Sequence, residues 1–213
     1  MAANTSQNKA KRKTERPDVR ERLLKAAKKQ FALKGLSGTS IRDIATEAKV
    51  NSSMISYYFE GKDGLYRECL REIGKSHLKY AQDVLTEVNS LEELKIRLQL
   101  LIKNLFSLYT EDRDAGLIIV REYDKVHSPA EEVFKETFLK IFELLVQFFS
   151  EAQKKKFINK SKDPFILGSL FFGCLSSQMR MDHIKEKSYN RSLKKEDEQQ
   201  KVTQHLVELF LAS

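Results

Sequence analysis

Residues 39–62 read TSIRDIATEAKVNSSMISYYFEGK, and their apolar spacing predicts two short helices around a tight turn. Ile44, Ala45, Ala48, Val50, Ile55 and Tyr58 stand where such a pair needs apolar or small side chains. Ala45 lets the second helix cross the first closely, Val50 fills the turn, and Ile55 and Tyr58 are expected to face inward. That leaves Asn51, Ser52, Ser53, Ser56 and Tyr57 on the outer face of the second helix. Slim polar and aromatic groups of this kind can enter a major groove and touch base edges and phosphates. The same spacing also fits an ordinary helical hairpin in a core, so the flanking residues have to decide.

Charge is the first of these. Over 213 residues the formal net charge is +8, and it is unevenly spread. Residues 1–62 hold 14 Lys+Arg against 6 Asp+Glu, whereas residues 63–213 hold 24 of each. A solvated lysine-rich tail explains the excess of +4 in residues 1–17 but not the further +4 up to Lys62. A basic surface attracts a polyphosphate and releases its condensed counterions on binding. Composition elsewhere is that of a globular protein, 41% hydrophobic and 32% charged, with three prolines and almost no alternation of period two. An all-α chain is expected.

Upstream, residues 1–16 (MAANTSQNKAKRKTER) lack large apolar groups and read as a disordered basic arm. Such an arm either follows the minor groove or is an inert leader. Pro17-Asp18 opens a helix, with Asp18 and Glu21 at capping-box spacing and a stripe of Val19, Leu23, Ala26, Ala27 and Phe31. Its other face carries Arg20, Arg22, Lys25, Lys28 and Lys29, and Gly35 supplies the stop. Thr39 or Ser40 caps the second helix, whose N-terminus is a ready phosphate site. The third helix runs for about eight residues until Gly61 breaks it.

Residues 18–66 resemble the DNA-binding domain of TetR-family transcriptional repressors. The stripe ending in Phe31 carries the likeness, with Gly35, Thr39-Ser40-Ile41-Arg42-Asp43-Ile44-Ala45, Val50, Ile55-Ser56-Tyr57-Tyr58-Phe59, Lys62 and Leu65. The resemblance implies that Thr39, Ser40, Tyr57, Tyr58 and Lys62 hold phosphates and that Arg42, Ser52, Ser53 and Met54 lie nearest the bases. Two positions depart from the family pattern. Lys49 stands where many members have glycine in the turn, and Ser56 where they have tyrosine. A side chain in a left-handed turn costs roughly 1 kcal/mol, which is tolerable. Losing the tyrosine leaves Tyr57 and Tyr58 to make more of the contact.

Beyond Lys62 the pattern stays helical. Leu65, Cys69, Ile73, His77, Tyr80 and Val84 step along one face of a long helix that joins this domain to the rest. Ser90 with Glu93 starts another, Asp114 to His127 reads as a shorter one, and Ser128-Pro129 opens the next. Asp163-Pro164 begins a helix whose first turns, FILGSLFFGCL, are apolar all round and so need a cover, in a chain this size a partner subunit. A final helix from about Lys194 to Ala212, with Val202, Leu206, Leu209 and Phe210, is expected beside it, and Ser188–Gln200 reads as a mobile connection. Pairing these two C-terminal helices across a homodimer would put two reading helices on a palindromic operator.

Catalytic chemistry finds no foothold. His77, His127, His183 and His205 lack metal-ligand spacing, Asp182-His183 reads as part of a surface helix, and no nucleophile elbow or phosphate loop occurs. Cys69 and Cys174 suit core packing rather than a disulfide. No secretory signal is expected in the first twenty residues, and the apolar run Phe165–Leu175 is short of the ~20 residues a span needs. A cytoplasmic protein is expected, with no metal, cofactor or enzyme activity. Its helical C-terminal part should hold an unidentified small-molecule effector among Phe106, Tyr109, Arg121, Phe138, Phe142, Phe172 and Met179. Arg121 is either an internal salt-bridge partner of Glu122 or an anchor for a polar ligand.

The expectation is therefore an all-α, ligand-responsive DNA-binding repressor of about nine helices. It has an arm (1–16), a helix-turn-helix domain (17–62) and a ligand-binding and dimerisation domain (63–213). The rival readings are a helical adaptor that binds another protein, its basic arm incidental, and an enzyme built in an all-α shell.

Overall fold

A computed structural model describes residues 18–123 and 127–211, so the expected arm lies outside the described residues. Every described element is helical, and the chain divides into two compact units between Cys69 and Leu70. That boundary falls past the expected one at Lys62, because the first turns of the long helix bury Leu65, Tyr66 and Cys69 in the N-terminal unit.

The head consists of α1 (Val19–Gly38), α2 (Ile41–Ala48), α3 (Ser53–Phe59) and the start of α4 (Lys62–Val84). Asp18 caps α1 by accepting the Arg20 N–H, and the helix is interrupted at Gly35, where φ is 72°. Leu23, Ala27, Phe31, Ile44, Ile55 and Leu65 form the dry centre. The Phe31 and Tyr66 rings meet edge to face at 5.0 Å, fixing α4 against α1. The basic face expected on α1 is largely spent inside the head. Arg20 pairs with Glu68 and lies over the Phe59 ring, Arg22 donates to the Ala48 carbonyl, and Lys29 pairs with Glu47 at 2.6 Å. Arg20 and Arg22 thus tie α4 and α2 to α1 from partly buried positions, and Lys29 links α2 to α1 from the surface.

In the second unit, the rest of α4 is followed by α5 (Leu91–Glu111), capped by Ser90 as expected, and α6 (Arg113–Glu122). The helix α6 stops at Glu122, short of the expected His127, and residues 124–126 lie outside the described residues. Ser128 and Pro129 precede α7 (Glu131–Phe134), which runs through a π turn (Lys135–Leu139) into α8 (Lys140–Lys154). Asp163 caps α9 (Pro164–Arg180) by accepting the Phe165 and Ile166 N–H groups. Then come α10 (Asp182–Tyr189) and α11 (Glu196–Leu211). Leu94, Leu98, Phe106, Leu145, Phe149 and Phe171 make the core.

One expectation changes here and another is refined. Ser188–Gln200 is held by specific side-chain bonds rather than left as a loose connection, and α10 is the expected surface helix, with His183 exposed but Asp182 turned inward. Asp182 is buried and accepts from Ser192 Oγ at 3.0 Å and the Leu193 N–H at 2.7 Å, while Glu198 takes the Arg191 guanidinium. A corner rich in polar residues is thus tied down by two buried carboxylates. Meanwhile α9 keeps Phe165, Ile166 and Leu170 exposed, as does α11 its Leu209.

Candidate nucleic-acid interface and effector cavity

The exposed face of α2 and α3 is shaped by what holds these helices from behind. Ser40 and Asp43 form a reciprocal capping box at the start of α2, with both bonds at 3.1 Å. The Ser40 N–H and hydroxyl, together with Lys34, hold the Asp43 carboxyl below the usual carboxylate range. Thr39 is not the cap. It is buried, and its hydroxyl lies against the carbonyls of Gln30 (3.1 Å) and Gly35 (2.7 Å), tying the turn to α1. Thr39, expected at a phosphate, thus has its hydroxyl turned inward, where it braces the turn.

The turn between α2 and α3 closes with Lys49 in the left-handed region (φ 56°, ψ 48°), and its N–H returns to Thr46. Asn51 then caps α3, its Oδ1 accepting the Ser53 N–H and hydroxyl at 2.9 Å each. Of the α3 residues, Ile55 and Phe59 turn inward, one helical turn apart. Tyr58 does not, contrary to expectation. It is exposed beside Tyr57, their rings edge to face at 5.0 Å. Asn51, Ser52, Ser53 and Ser56 are exposed as well, Met54 is half-buried, and Arg42 is exposed on α2. Behind them Lys62 donates to the carbonyls of Leu36 (3.0 Å) and Thr39 (2.9 Å), which leaves one ammonium proton uncommitted. Gly64 was not singled out from sequence, yet a Cβ there would stand 1.7 Å from the Phe59 carbonyl oxygen. The passage from α3 into α4 is that close.

A second site lies wholly within the C-terminal unit, a cavity of about 220 Å³ among α4, α5, α6, the π turn, α8 and α9. Phe138, Phe172 and Met179 line it, as expected, and the other four expected residues do not. Phe106 is fully buried core, and Phe142 is stacked edge to face on Phe165 at 5.2 Å. Tyr109 is half-buried, and burial, then the Asp182 charge, raises its phenol pKa. Arg121 is exposed on α6, and the buried charge there is its neighbour Glu122, one position round the helix. Sequence reasoning missed His77, Tyr123, Ser176 and Arg180, which carry the polar atoms of the lining. The signal was a histidine in the otherwise apolar stripe of α4.

A tri-helical head carrying an exposed short helix, joined to a separate helical unit with an apolar cavity, is the layout of a helix-turn-helix domain followed by a helical domain. Residues 23–69 match the family model of bacterial regulatory proteins of the tetR family. The "Probable HTH-type transcriptional regulator YttP" of Bacillus subtilis is 28% identical over 141 residues, 65% of this chain and 66% of that one. The HTH-type transcriptional repressor NicS of Pseudomonas putida is 36% identical over 80 residues, 36% of this chain and 38% of that one. Among solved structures, FadR from Bacillus subtilis in complex with stearoyl-CoA superposes with a TM-score of 0.74 at 17% identity, covering 90% of this chain and 97% of its own. Residues 23–69 thus carry the likeness to the tetR-family DNA-binding domain, and the relatives that the chain resembles are HTH-type transcriptional regulators. No helix among the described residues is long and apolar enough to cross a membrane.

Proposed function

We propose that the chain is a homodimeric repressor that binds a palindromic operator through α3 and releases it when a small molecule fills the C-terminal cavity. The observation that carries this reading is the split of α3. Ile55 and Phe59 are pinned in the head, while Ser52, just before the helix, and Ser53, Ser56, Tyr57 and Tyr58 on it are exposed on its opposite face. Ser52, Ser53 and Met54 at its N-terminal end, with Arg42, then read bases, as recognition helices do with their first residues. Asn51, Ser56, Tyr57 and Tyr58 address the backbone, and so do the first N–H groups of α2 beside Ser40, which a helix leaves without internal partners. Lys62 offers its remaining proton to a phosphate.

The apolar residues left exposed on α9 and α11 support the pairing of two subunits through these helices. For transmission, the π turn supports a route from cavity to connecting helix. Phe138 lines the cavity, and its neighbour Thr137 packs so closely on α4 that a Cβ at Gly74 would fall 2.6 Å from the Thr137 Cβ. Effector binding that shifts this turn biases α4, the helix shared by both units, and an effector that prefers one arrangement lowers operator affinity by that preference. The FadR neighbour's stearoyl-CoA makes a hydrophobic effector the natural starting class.

Gel retardation with operator DNA tests the reading. Tyr57→Ala should weaken binding to every sequence, while substitutions at Ser53 or Met54 should change which bases are preferred. A binding-site selection giving an unchanged logo for the Ser53 and Met54 variants would remove α3 from the role of reader.

A further inference from the structure

The cavity is more selective than its hydrophobic lining implies. Resting on its role as the effector site, we infer that it takes a small, uncharged hydrophobic compound carrying one hydrogen-bond donor, of the class of an alkylphenol, with the donor received by His77.

Size sets the first limit. Dry cavities of about 150 Å³ accept benzene, and a water-sized unit occupies roughly 30 Å³. The 220 Å³ here therefore suit about seven to ten non-hydrogen atoms, well short of an eighteen-carbon chain or a nucleotide-bearing thioester. Leu108, Ile119, Phe138, Phe172 and Met179 supply apolar walls for such a body.

The polar atoms set the second limit. His77 Nδ1 lies 2.9 Å from the Asn104 amide oxygen, which can only accept, so Nδ1 carries the ring proton. In its uncharged form an imidazole so bonded keeps a bare Nε2, an acceptor. Ser176 has given its proton to the Gly173 carbonyl at 3.1 Å and likewise offers lone pairs. A ligand hydroxyl donates to either. A carboxylate would set its oxygens against these lone pairs and lose its hydration in an apolar space. Arg180, the lining cation, is exposed at the end of α9, where an ion pair gains little. The Tyr123 hydroxyl can donate or accept and does not discriminate.

The test is calorimetric titration of the full chain with three probes of similar size that all fit the volume, 4-ethylphenol, ethylbenzene and benzoate. The phenol is expected to bind about tenfold more tightly than the hydrocarbon, the worth of one hydrogen bond, and the benzoate more weakly than both. In His77→Phe the phenol should fall to the level of ethylbenzene, and ethylbenzene binding within twofold of the parent shows that the cavity is intact. Tightest binding of the benzoate, a phenol preference that survives His77→Phe, or no binding by any probe overturns the assignment. The same probes added to an operator complex separate this from the functional reading. Phenol binding in the expected pattern without operator release overturns ligand responsiveness and leaves the cavity assignment standing. Release by a long-chain acyl thioester with no phenol binding does the reverse.

Discussion

Lys49 sits in the left-handed region with its side chain exposed, so its strain brings no compensating contact in the core. Replacing it with glycine relieves a cost of about 1 kcal/mol, offset in part by the freedom glycine adds to the unfolded chain. Urea unfolding of Lys49→Gly should give a net gain of about 0.5 kcal/mol, and a loss would mean the lysine makes a stabilising contact. Asp43 gives a prediction in pH. Its pKa is lowered on folding by the Ser40 cap, so its stabilisation is complete above the ordinary carboxylate range and fades as pH falls through the depressed value. Asp43→Asn should remove part of the fall in melting temperature below about pH 4 while lowering it at neutral pH; equal effects in both conditions would contradict this assignment. At this scale the sequence was informative about types but not about neighbours. Thr39 and Ser40 are both good caps, and only the carbonyls of Gln30 and Gly35, set by the fold, draw Thr39 inside. In Tyr57-Tyr58-Phe59, spacings of three and four from Ile55 both reach the inner face, and the choice of Phe59 depends on Arg20 and α1 waiting there.

Helices announced themselves wherever a cap met an apolar period. Ser90 with Glu93, and Asp163 before Pro164, are where the spacing predicts them, because capping is local chemistry. The corner from Asp182 to Glu198 was illegible for the opposite reason, since its order comes from side chains reaching 10 and 11 residues along the chain. Asp182→Ala strands the Ser192 hydroxyl and the Leu193 N–H in a buried place and should cost about 2 kcal/mol by chemical unfolding. A change under ~0.5 kcal/mol, the usual surface value, would restore the segment to a loose connection. The π turn was equally invisible, being a distortion within an otherwise helical pattern. Gly74→Ala forces a methyl onto Thr137 and should destabilise by about 1–3 kcal/mol. Its operator complex should also respond to effector differently from the parent's. Unaltered stability would show that α4 and the π turn can part without cost.

For the whole molecule, charge and apolar surface fall on different units. The lysines and arginines in excess lie before residue 63, although Arg20 and Arg22 are partly buried in bonds within the head and Lys29 is paired with Glu47, so fewer are at hand for a phosphate than composition alone implies. Lys62→Ala should consequently do two things, lower the stability of the head and flatten the salt dependence of DNA binding by about one unit in slope. An unchanged slope would keep this lysine structural. The exposed Phe165, Ile166 and Leu170 of α9 and Leu209 of α11 lie on the other unit. Introducing Leu170→Glu should leave the chain folded but shift it to monomer in sedimentation at micromolar concentration, with loss of operator binding; a dimer that persists would move the interface elsewhere. The most direct measurement of the central claim is selection of duplex DNA by the full chain from a random pool at low salt. Enrichment of an inverted repeat, two half-sites bound by one dimer, is the expected result. A pool that emerges unenriched, or a single half-site bound by one subunit, would contradict it.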